Sequence, residues 1–255
     1  MNNIHGLIFG IVQGLTEFLP ISSSGHILLF SKILNIKPPE ILFDIVLHFG
    51  TLFAVLIYFR KLILTNIKNL KLIFLILIST ISTSLIYLLF KKYFDISFES
   101  LKYLPYFFII TSIFLFFFYF KNKRIKKLEN INLLDAIIIG VMQGFAIFPG
   151  ISRSGFTFIT SCLLGINNED SFKYSFLLSI PAILLSGLLK TYEFIKNPFN
   201  MNIWVLIIGI VSSFIFGIIS IKLFYKFIKN RKFIFFSIYL LILSSIIFLM
   251  FYWLI

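Results

Sequence analysis

Long apolar runs recur along the whole chain and limit what it can fold into. A helix needs about 20 apolar residues to cross a bilayer, and six stretches qualify, roughly 41–60, 71–90, 103–120, 171–190, 202–224 and 233–254. Hydrophobic residues make up 59% of the chain and charged residues only 13%, whereas about a quarter of a soluble domain is charged. The sequence therefore predicts a single all-α integral membrane domain covering 1–255.

Two further apolar segments, 4–34 and 132–165, are each interrupted near the centre by Gly, Pro and Ser. Broken backbone at membrane depth is tolerated only where it is buried in protein or lines a water-filled cavity. Both segments are therefore predicted to be re-entrant helical hairpins. The predicted fold is then six transmembrane helices plus two re-entrant hairpins.

The two interruptions are similar to each other when the sequence is aligned with itself at one constant offset, without a gap. The identical pairs are Gly10 and Gly140, Gln13 and Gln143, Gly14 and Gly144, Phe18 and Phe148, Ile21 and Ile151, Ser22 and Ser152, Ser24 and Ser154, and Gly25 and Gly155. Such self-similarity indicates an internal duplication. Because three spans follow each copy, the second copy would enter from the opposite side. This predicts an inverted-topology repeat with units 4–120 and 132–254.

The formal net charge of +13 could indicate a nucleic-acid-binding protein, but the basic residues cluster between apolar runs. The richest junctions lie near 60–71, 121–127 and 222–232. Cytoplasmic loops of membrane proteins carry the excess of Lys and Arg. We therefore expect no nucleic-acid partner, and both termini and the mouth of the first hairpin on the extracytoplasmic side. No basic segment precedes apolar residues 4–20, so a removable signal peptide is not expected.

The differences between the two copies are more informative than the identities. They are Glu17 against Ile147, Ser23 against Arg153, and His26 against Phe156. An ionisable side chain at membrane depth is costly and is a functional candidate by default. If the two interruptions meet, an acid, a hydroxyl, an imidazole and a guanidinium come together.

Segments 20–26 and 149–155 each have the pattern of a helix break followed by a half-helix. The free N–H groups and positive dipole end of such a half-helix would bind a phosphate, and Arg153 adds a fixed guanidinium. Two such breaks facing each other would suit a pyrophosphate. The alternative is that the Ser and Gly residues only cap half-helices and permit close packing.

Chemical roles follow from the residue types. Ser23, or a neighbouring hydroxyl, could attack the terminal phosphorus, with His26 as base or acid and Arg153 stabilising charge in the transition state. Glu17 could hold a divalent cation or orient a nucleophile. Gln13 lies one helical turn before Glu17 and faces the same side. An activated water stays open as the alternative nucleophile.

Residues 13–26, QGLTEFLPISSSGH, and 148–157, FPGISRSGFT, resemble the two signature motifs of the undecaprenyl-diphosphatase family, also called bacitracin-resistance proteins. Segments 44–52 and 174–182 match further family segments, so the resemblance covers essentially the whole chain. The family's acidic motif falls on Gln13 and Glu17, its serine and histidine fall on Ser23 and His26, and its arginine motif falls on Ser152, Arg153, Ser154 and Thr157.

The resemblance implies hydrolysis of undecaprenyl pyrophosphate to undecaprenyl phosphate and inorganic phosphate, with a divalent cation such as Mg²⁺ or Ca²⁺. The reaction would take place at the outer side of a bacterial inner membrane, recycle a lipid carrier for peptidoglycan and confer bacitracin resistance. The implied catalytic residues are Glu17, Ser23, His26 and Arg153, with Glu17 also the metal ligand. The implied substrate-binding residues are Gln13, Ser22, Ser24, Gly25, Ser152, Ser154, Gly155 and Thr157. Many relatives have Glu at the position of Gln13, so this chain has one carboxylate where a pair could chelate a metal.

Two other functional classes fit parts of the pattern. Inverted repeats with paired broken helices are a common transporter design, but a transporter needs no nucleophile or base. A lipid-binding scaffold without turnover is the third class. Homo-oligomerisation is compatible with the sequence but is not indicated by it.

Overall fold

The computed structural model describes residues 1–36, 41–119, 125–196 and 201–253, and the ordered elements in these ranges are helical, apart from one isolated β-bridge between Lys126 and Ile166. The α-helices of the described residues are α1 (Asn3–Phe18), α2 (Ser23–Ile33), α3 (Ile41–Tyr58), α4 (Arg60–Asn66), α5 (Leu70–Glu99), α6 (Leu104–Phe116), α7 (Leu133–Phe145), α8 (Arg153–Leu163), α9 (Asn168–Lys196), α10 (Ile203–Lys229) and α11 (Ile234–Trp253). Short 3₁₀ turns flank α6 and precede α7. The all-α prediction is confirmed.

Four helices of the described chain, α3, α5, α9 and α10, are long and apolar enough to cross a membrane. Helices α5 and α9 extend beyond the predicted spans 71–90 and 171–190. The predicted spans 103–120 and 233–254 contain the shorter apolar helices α6 and α11, and their last residues, 120 and 254, lie outside the described residues. The chain is a helical, multi-pass membrane protein.

The outer surface of the bundle is apolar. Leu89, Leu188 and Trp204 are 74%, 66% and 61% exposed, respectively, and many other large hydrophobic side chains are also exposed. A soluble monomer rarely exposes large apolar patches. This surface therefore suits contact with lipid chains.

Each interrupted segment folds into two helices that pack on each other, α1 with α2 and α7 with α8. The first helices begin at equivalent positions of the two copies, each with a capping box, in which the side chains of Asn2 and Asn132 accept a hydrogen bond from a backbone N–H three residues on. The second helices also begin at equivalent positions, after the N-cap residues Ser22 and Ser152. Such caps satisfy N–H groups that have no partner within the helix.

The two hairpins pack reciprocally against the rest of the bundle. Helix α1 lies along α10, and its counterpart α7 lies along α5; α3 contacts α9, and α6 contacts α11. The two breaks touch: the Ser22 hydroxyl accepts a hydrogen bond from the Gly150 N–H at 3.0 Å, and the Ser154 hydroxyl donates to the Leu19 carbonyl at 3.2 Å. The expectation that the two interruptions meet is confirmed.

A cluster of buried aromatic rings packs beside the breaks. The rings of Phe18 and Phe176 are 5.2 Å apart, and those of Phe158 and Phe233 are also 5.2 Å apart. These residues belong to one continuous apolar core. The core fixes the position of the last turn of α1, where the first break begins.

Gly140 marks a close approach between α7 and α5. A Cβ atom at Gly140 would lie 2.2 Å from the Ser79 carbonyl oxygen. The Ser79 hydroxyl donates to the Ala136 carbonyl at 2.7 Å, which ties the two helices together at this point. A side chain at position 140 would have to push the helices apart.

We predict that Gly140→Ala destabilises the protein although alanine favours helices more than glycine does. Overpacking of this kind typically costs about 1–3 kcal/mol, so the thermal unfolding midpoint in detergent should fall. Gly187→Ala is the matched control, because a Cβ there meets only the Phe49 ring at 3.4 Å. Equal unfolding midpoints for the two variants would contradict the prediction.

Candidate active site

Glu17, in the last turn of α1, is the centre of a buried polar cluster. Its Oε1 accepts a hydrogen bond from the Arg153 guanidinium, at the start of α8. Its Oε2 accepts from the Ser23 hydroxyl at 2.5 Å and from the Gln13 side-chain amide at 3.0 Å. The structure thus brings together four of the residues selected from sequence, three from the first copy and one from the second.

In the Glu17–Arg153 ion pair, the Glu17 carboxylate is almost completely shielded from solvent. The exposed fraction of the Glu17 side chain is 4%, and that of Arg153 is 23%. Removing a charge from water costs several kcal/mol per ion unless a partner and hydrogen bonds compensate. The guanidinium, the hydroxyl and the amide supply that compensation to Glu17.

A narrow crevice opens beside this ion pair. It is lined by Glu17, Phe18, Arg153, Ser154, Thr157, Ser175, Phe176 and Ser179. Thr157, selected from sequence, hydrogen-bonds the Ser175 hydroxyl, and its own hydroxyl donates to the Arg153 carbonyl at 2.9 Å. The crevice is therefore bounded by hydroxyl groups on α8 and α9.

Ser175 and Ser179 received no role from the residue types alone, although segment 174–182 carried part of the family resemblance. The available signal was Pro181, which lies inside α9. Proline removes a helical hydrogen bond and disturbs the preceding turn, and both serines lie shortly before it. A proline inside an otherwise regular span could have directed attention there.

Ser22 and Ser152 act as structural caps in this structure. The Ser22 hydroxyl accepts from the Gly25 N–H at 3.4 Å, and the Ser152 hydroxyl accepts from the Gly155 N–H at 3.2 Å. Ser24 and Ser154 hydrogen-bond these cap hydroxyls at 3.3 and 3.2 Å, respectively. The Ser22 and Ser152 hydroxyls therefore cap their helices, and the expected binding of phosphate by these four serines stays a prediction.

The backbone at Ser22 is strained. Its φ of 70° and ψ of 104° lie in a region that L residues rarely adopt, and such a conformation costs about 1–3 kcal/mol. It persists only where the surroundings impose it. The next residue is Ser23, so this turn determines where the Ser23 hydroxyl points.

His26 is not hydrogen-bonded to Ser23. Its Nδ1 lies 2.7 Å from the Ser22 carbonyl oxygen, and its Nε2 lies 2.7 Å from the Tyr239 hydroxyl of α11. A carbonyl oxygen can only accept, so Nδ1 carries a hydrogen. The hypothesis of a Ser23–His26 pair therefore has no direct contact to support it. Tyr239 lies in an apolar span without a motif, and no sequence signal distinguished it.

The residues present can hold a divalent cation only if a substrate supplies the remaining ligands. No group of three or more His, Cys, Asp or Glu side chains that could hold a metal occurs in the described ranges. The Gln13 Oε1 is buried and has no hydrogen-bond partner, and Glu17 is the nearby carboxylate. Mg²⁺ is commonly bound by one or two carboxylates together with substrate phosphates, which is the arrangement that these two residues allow.

Comparison with known proteins assigns the chain to a family. The family model described as "Bacitracin resistance protein BacA" matches residues 6–246. The chain belongs to the BacA family. Curated relatives named undecaprenyl-diphosphatase include those of Borrelia recurrentis, 42% identical over 97% of this chain and 98% of the relative, and Carboxydothermus hydrogenoformans, 42% identical over 96% and 95%. A third, from Thermosipho melanesiensis, is 41% identical over 93% and 95%. The resemblance identified from the motifs is confirmed.

We predict that Glu17 and Arg153 of this BacA protein make coupled contributions to the free energy of unfolding. Arg153→Met leaves the buried Glu17 carboxylate without its charge partner, and breaking a buried pair costs about 3–5 kcal/mol. Adding Glu17→Gln to Arg153→Met should restore most of that loss. Thermal unfolding of both single variants and the double variant measures the coupling. Additive losses would show that the two side chains do not stabilise each other.

Proposed function

We propose that this protein hydrolyses undecaprenyl pyrophosphate to undecaprenyl phosphate and inorganic phosphate. The observation that carries the proposal is the contact of one buried carboxylate, Glu17, with both a hydroxyl, Ser23, and a guanidinium, Arg153. Membership of the BacA family and relatives named undecaprenyl-diphosphatase over nearly the whole chain point to the same reaction. The product would recycle a lipid carrier for peptidoglycan synthesis, and the activity would confer bacitracin resistance.

In the proposed mechanism Ser23 is the nucleophile. Its hydroxyl donates to Glu17, so Glu17 can take the proton while the serine oxygen bonds to the terminal phosphorus. The bond from phosphorus to the bridging oxygen breaks, and undecaprenyl phosphate leaves with the electron pair. Water then cleaves the phosphoserine, which releases inorganic phosphate and regenerates the hydroxyl.

Arg153 has two uses in this scheme. In the structure it neutralises Glu17, and its fork of N–H groups also suits the oxygens of a phosphoryl group. If the guanidinium turns to the phosphate when substrate enters, it stabilises transition-state charge and leaves Glu17 free to accept the proton. This exchange links substrate binding to activation of Ser23.

A divalent cation, Mg²⁺ or Ca²⁺, would be held by the oxygens of Glu17 and Gln13 together with substrate phosphates, and it would neutralise phosphate charge. The hydroxyl groups of Ser175 and Thr157 border the same crevice. They could hydrogen-bond the phosphate oxygens that the cation leaves free.

The finer layout is also proposed: six transmembrane helices and two re-entrant hairpins in an inverted repeat, with units 4–120 and 132–254. The hairpin helices that begin at equivalent positions of the two copies and their reciprocal packing support it. The basic junctions support an inner-membrane orientation with the active site opening outward. A C-terminal reporter that matures only in the cytoplasm would reverse this orientation.

The reaction can be tested with the purified chain, undecaprenyl pyrophosphate and Mg²⁺, by measuring inorganic phosphate. We expect multiple turnovers, and loss of turnover when a chelator removes the cation. We expect Arg153→Lys to lose nearly all activity, since an ammonium cannot make the paired contacts of a guanidinium. The Arg153→Lys variant keeps the charge, so it separates the loss of fork geometry from the loss of charge. Movement of labelled lipid across proteoliposomes without phosphate release would favour the transporter instead, and binding alone would favour a scaffold.

We predict that Ser23→Ala lowers kcat by about 1000-fold or more, as removal of a nucleophile does. The measurement is steady-state phosphate release, with the lipid concentration varied to separate kcat from KM. A kcat within about tenfold of wild type, or about 1.4 kcal/mol of barrier, would instead make an activated water the nucleophile. Ser23 would then be a phosphate-binding hydroxyl.

A further inference from the structure

We propose that His26 and Tyr239 are positioning residues, which hold the Ser22 carbonyl and so maintain the strained turn that presents Ser23 to Glu17. The proposal rests on the proposed function and concerns how its nucleophile is aligned. It assigns a role to Tyr239, on α11, and it makes His26 a positioning residue and not a base.

A chain of hydrogen bonds runs from Tyr239 through His26 to the Ser22 carbonyl. The Tyr239 hydroxyl and the His26 Nε2 are 2.7 Å apart, and the His26 Nδ1 and the Ser22 carbonyl oxygen are 2.7 Å apart. The rings of Tyr239 and His26 are nearly parallel, with an interplanar angle of 11°, and Phe108 also packs against the imidazole, with a centroid distance of 5.5 Å. The imidazole is therefore fixed in position, and Nδ1–H is directed at the carbonyl.

The two breaks differ in the backbone conformation of their N-cap serines. Ser22 has φ 70° and ψ 104°, whereas the equivalent Ser152 has φ −83° and ψ 115°, an ordinary extended conformation. Phe156 occupies the position equivalent to His26. The Ser152 carbonyl accepts the Phe156 N–H at 2.9 Å, while the Ser22 carbonyl accepts the His26 N–H at a longer 3.3 Å as well as the ring Nδ1–H. The imidazole occurs at the strained break, and a phenyl ring takes its place at the relaxed one.

The conformation of Ser22 controls where the Ser23 hydroxyl lies. Ser23 directly follows Ser22, and its hydroxyl reaches Glu17 at 2.5 Å. If the Ser22 carbonyl loses the ring donor, the turn can relax towards the conformation of Ser152, because strain is kept only where surrounding contacts impose it. The Ser23 hydroxyl would then move away from Glu17. Tyr239 acts through His26, since its hydroxyl bonds Nε2 and keeps the ring from turning.

A direct test is the position of the hydrogen on the His26 ring. Nitrogen NMR of the protein with ¹⁵N-labelled histidine, in bilayers, distinguishes the two ring nitrogens. The chain has three histidines, and the signal that disappears in His26→Asn belongs to His26. We expect Nδ1 to carry hydrogen. An Nδ1 without hydrogen cannot donate to the Ser22 carbonyl and would overturn the proposal.

A kinetic test separates positioning from acid–base catalysis. His26→Asn places an amide N–H close to the position of Nδ1 but has no titratable nitrogen, while His26→Ala removes the donor. We expect His26→Asn to keep kcat within about tenfold of wild type and His26→Ala to lose about 100-fold, with little change in KM. A general base contributes about 10²- to 10⁴-fold, so equally large losses in both variants would overturn the proposal.

Tyr239→Phe keeps the ring but removes the hydroxyl, and we expect kcat to fall about three- to tenfold with KM unchanged, as a lost neutral hydrogen bond allows. Tyr106→Phe is the matched control, because the Tyr106 ring packs edge-on against Phe248. Equal activity of Tyr239→Phe and the control would remove Tyr239 from the proposal. If wild type itself released no phosphate, the proposed function would fail, and the NMR result would still decide the role of His26.

Discussion

The structure depends on one ion pair, between Glu17 and Arg153, that joins two interrupted helices. Neither break could bury a charge alone, because a buried charge without a partner costs several kcal/mol. Each break supplies one member of the pair, so the two hairpins have to meet for either charge to be accommodated. The hydrogen bonds between the breaks, from Gly150 to Ser22 and from Ser154 to Leu19, then fix the distance between them.

Much of this arrangement was predictable because it follows from local chemistry. The apolar runs predicted helices, and the Gly, Pro and Ser interruptions predicted breaks that meet, both of which the structure confirms. Glu17, Ser23 and Arg153 were identified because the two copies differ there. Ionisable residues that a repeat does not duplicate are not explained by the shared fold, so the sequence alone identifies them as functional candidates.

The remainder depended on contacts between residues far apart in sequence. Tyr239 reaches His26 across 213 residues, and its helix shows no motif or periodic signal. The expected partnership of Ser23 and His26 came from their spacing on one half-helix. Spacing does not give the direction of a ring that packs against Phe108 and Tyr239. Similarly, residue types alone do not show whether Ser22 and Ser152 cap helices, and only the distances to the Gly25 and Gly155 N–H groups identify both hydroxyls as caps.

Gln13 and Gln143 occupy equivalent positions of the two copies, but only Gln13 contacts a candidate catalytic residue. Both are buried, and both have a side-chain oxygen without a hydrogen-bond partner. Gln143 donates to the Thr83 hydroxyl at 2.9 Å in a helix interface, whereas Gln13 donates to Glu17 at 3.0 Å. The amide is present in both halves, but only in the first does an acid lie one turn further along the helix. The Glu17 carboxylate makes this site a candidate catalytic site, because it accepts hydrogen bonds from the Arg153 guanidinium of the second copy and from the Ser23 hydroxyl of the first.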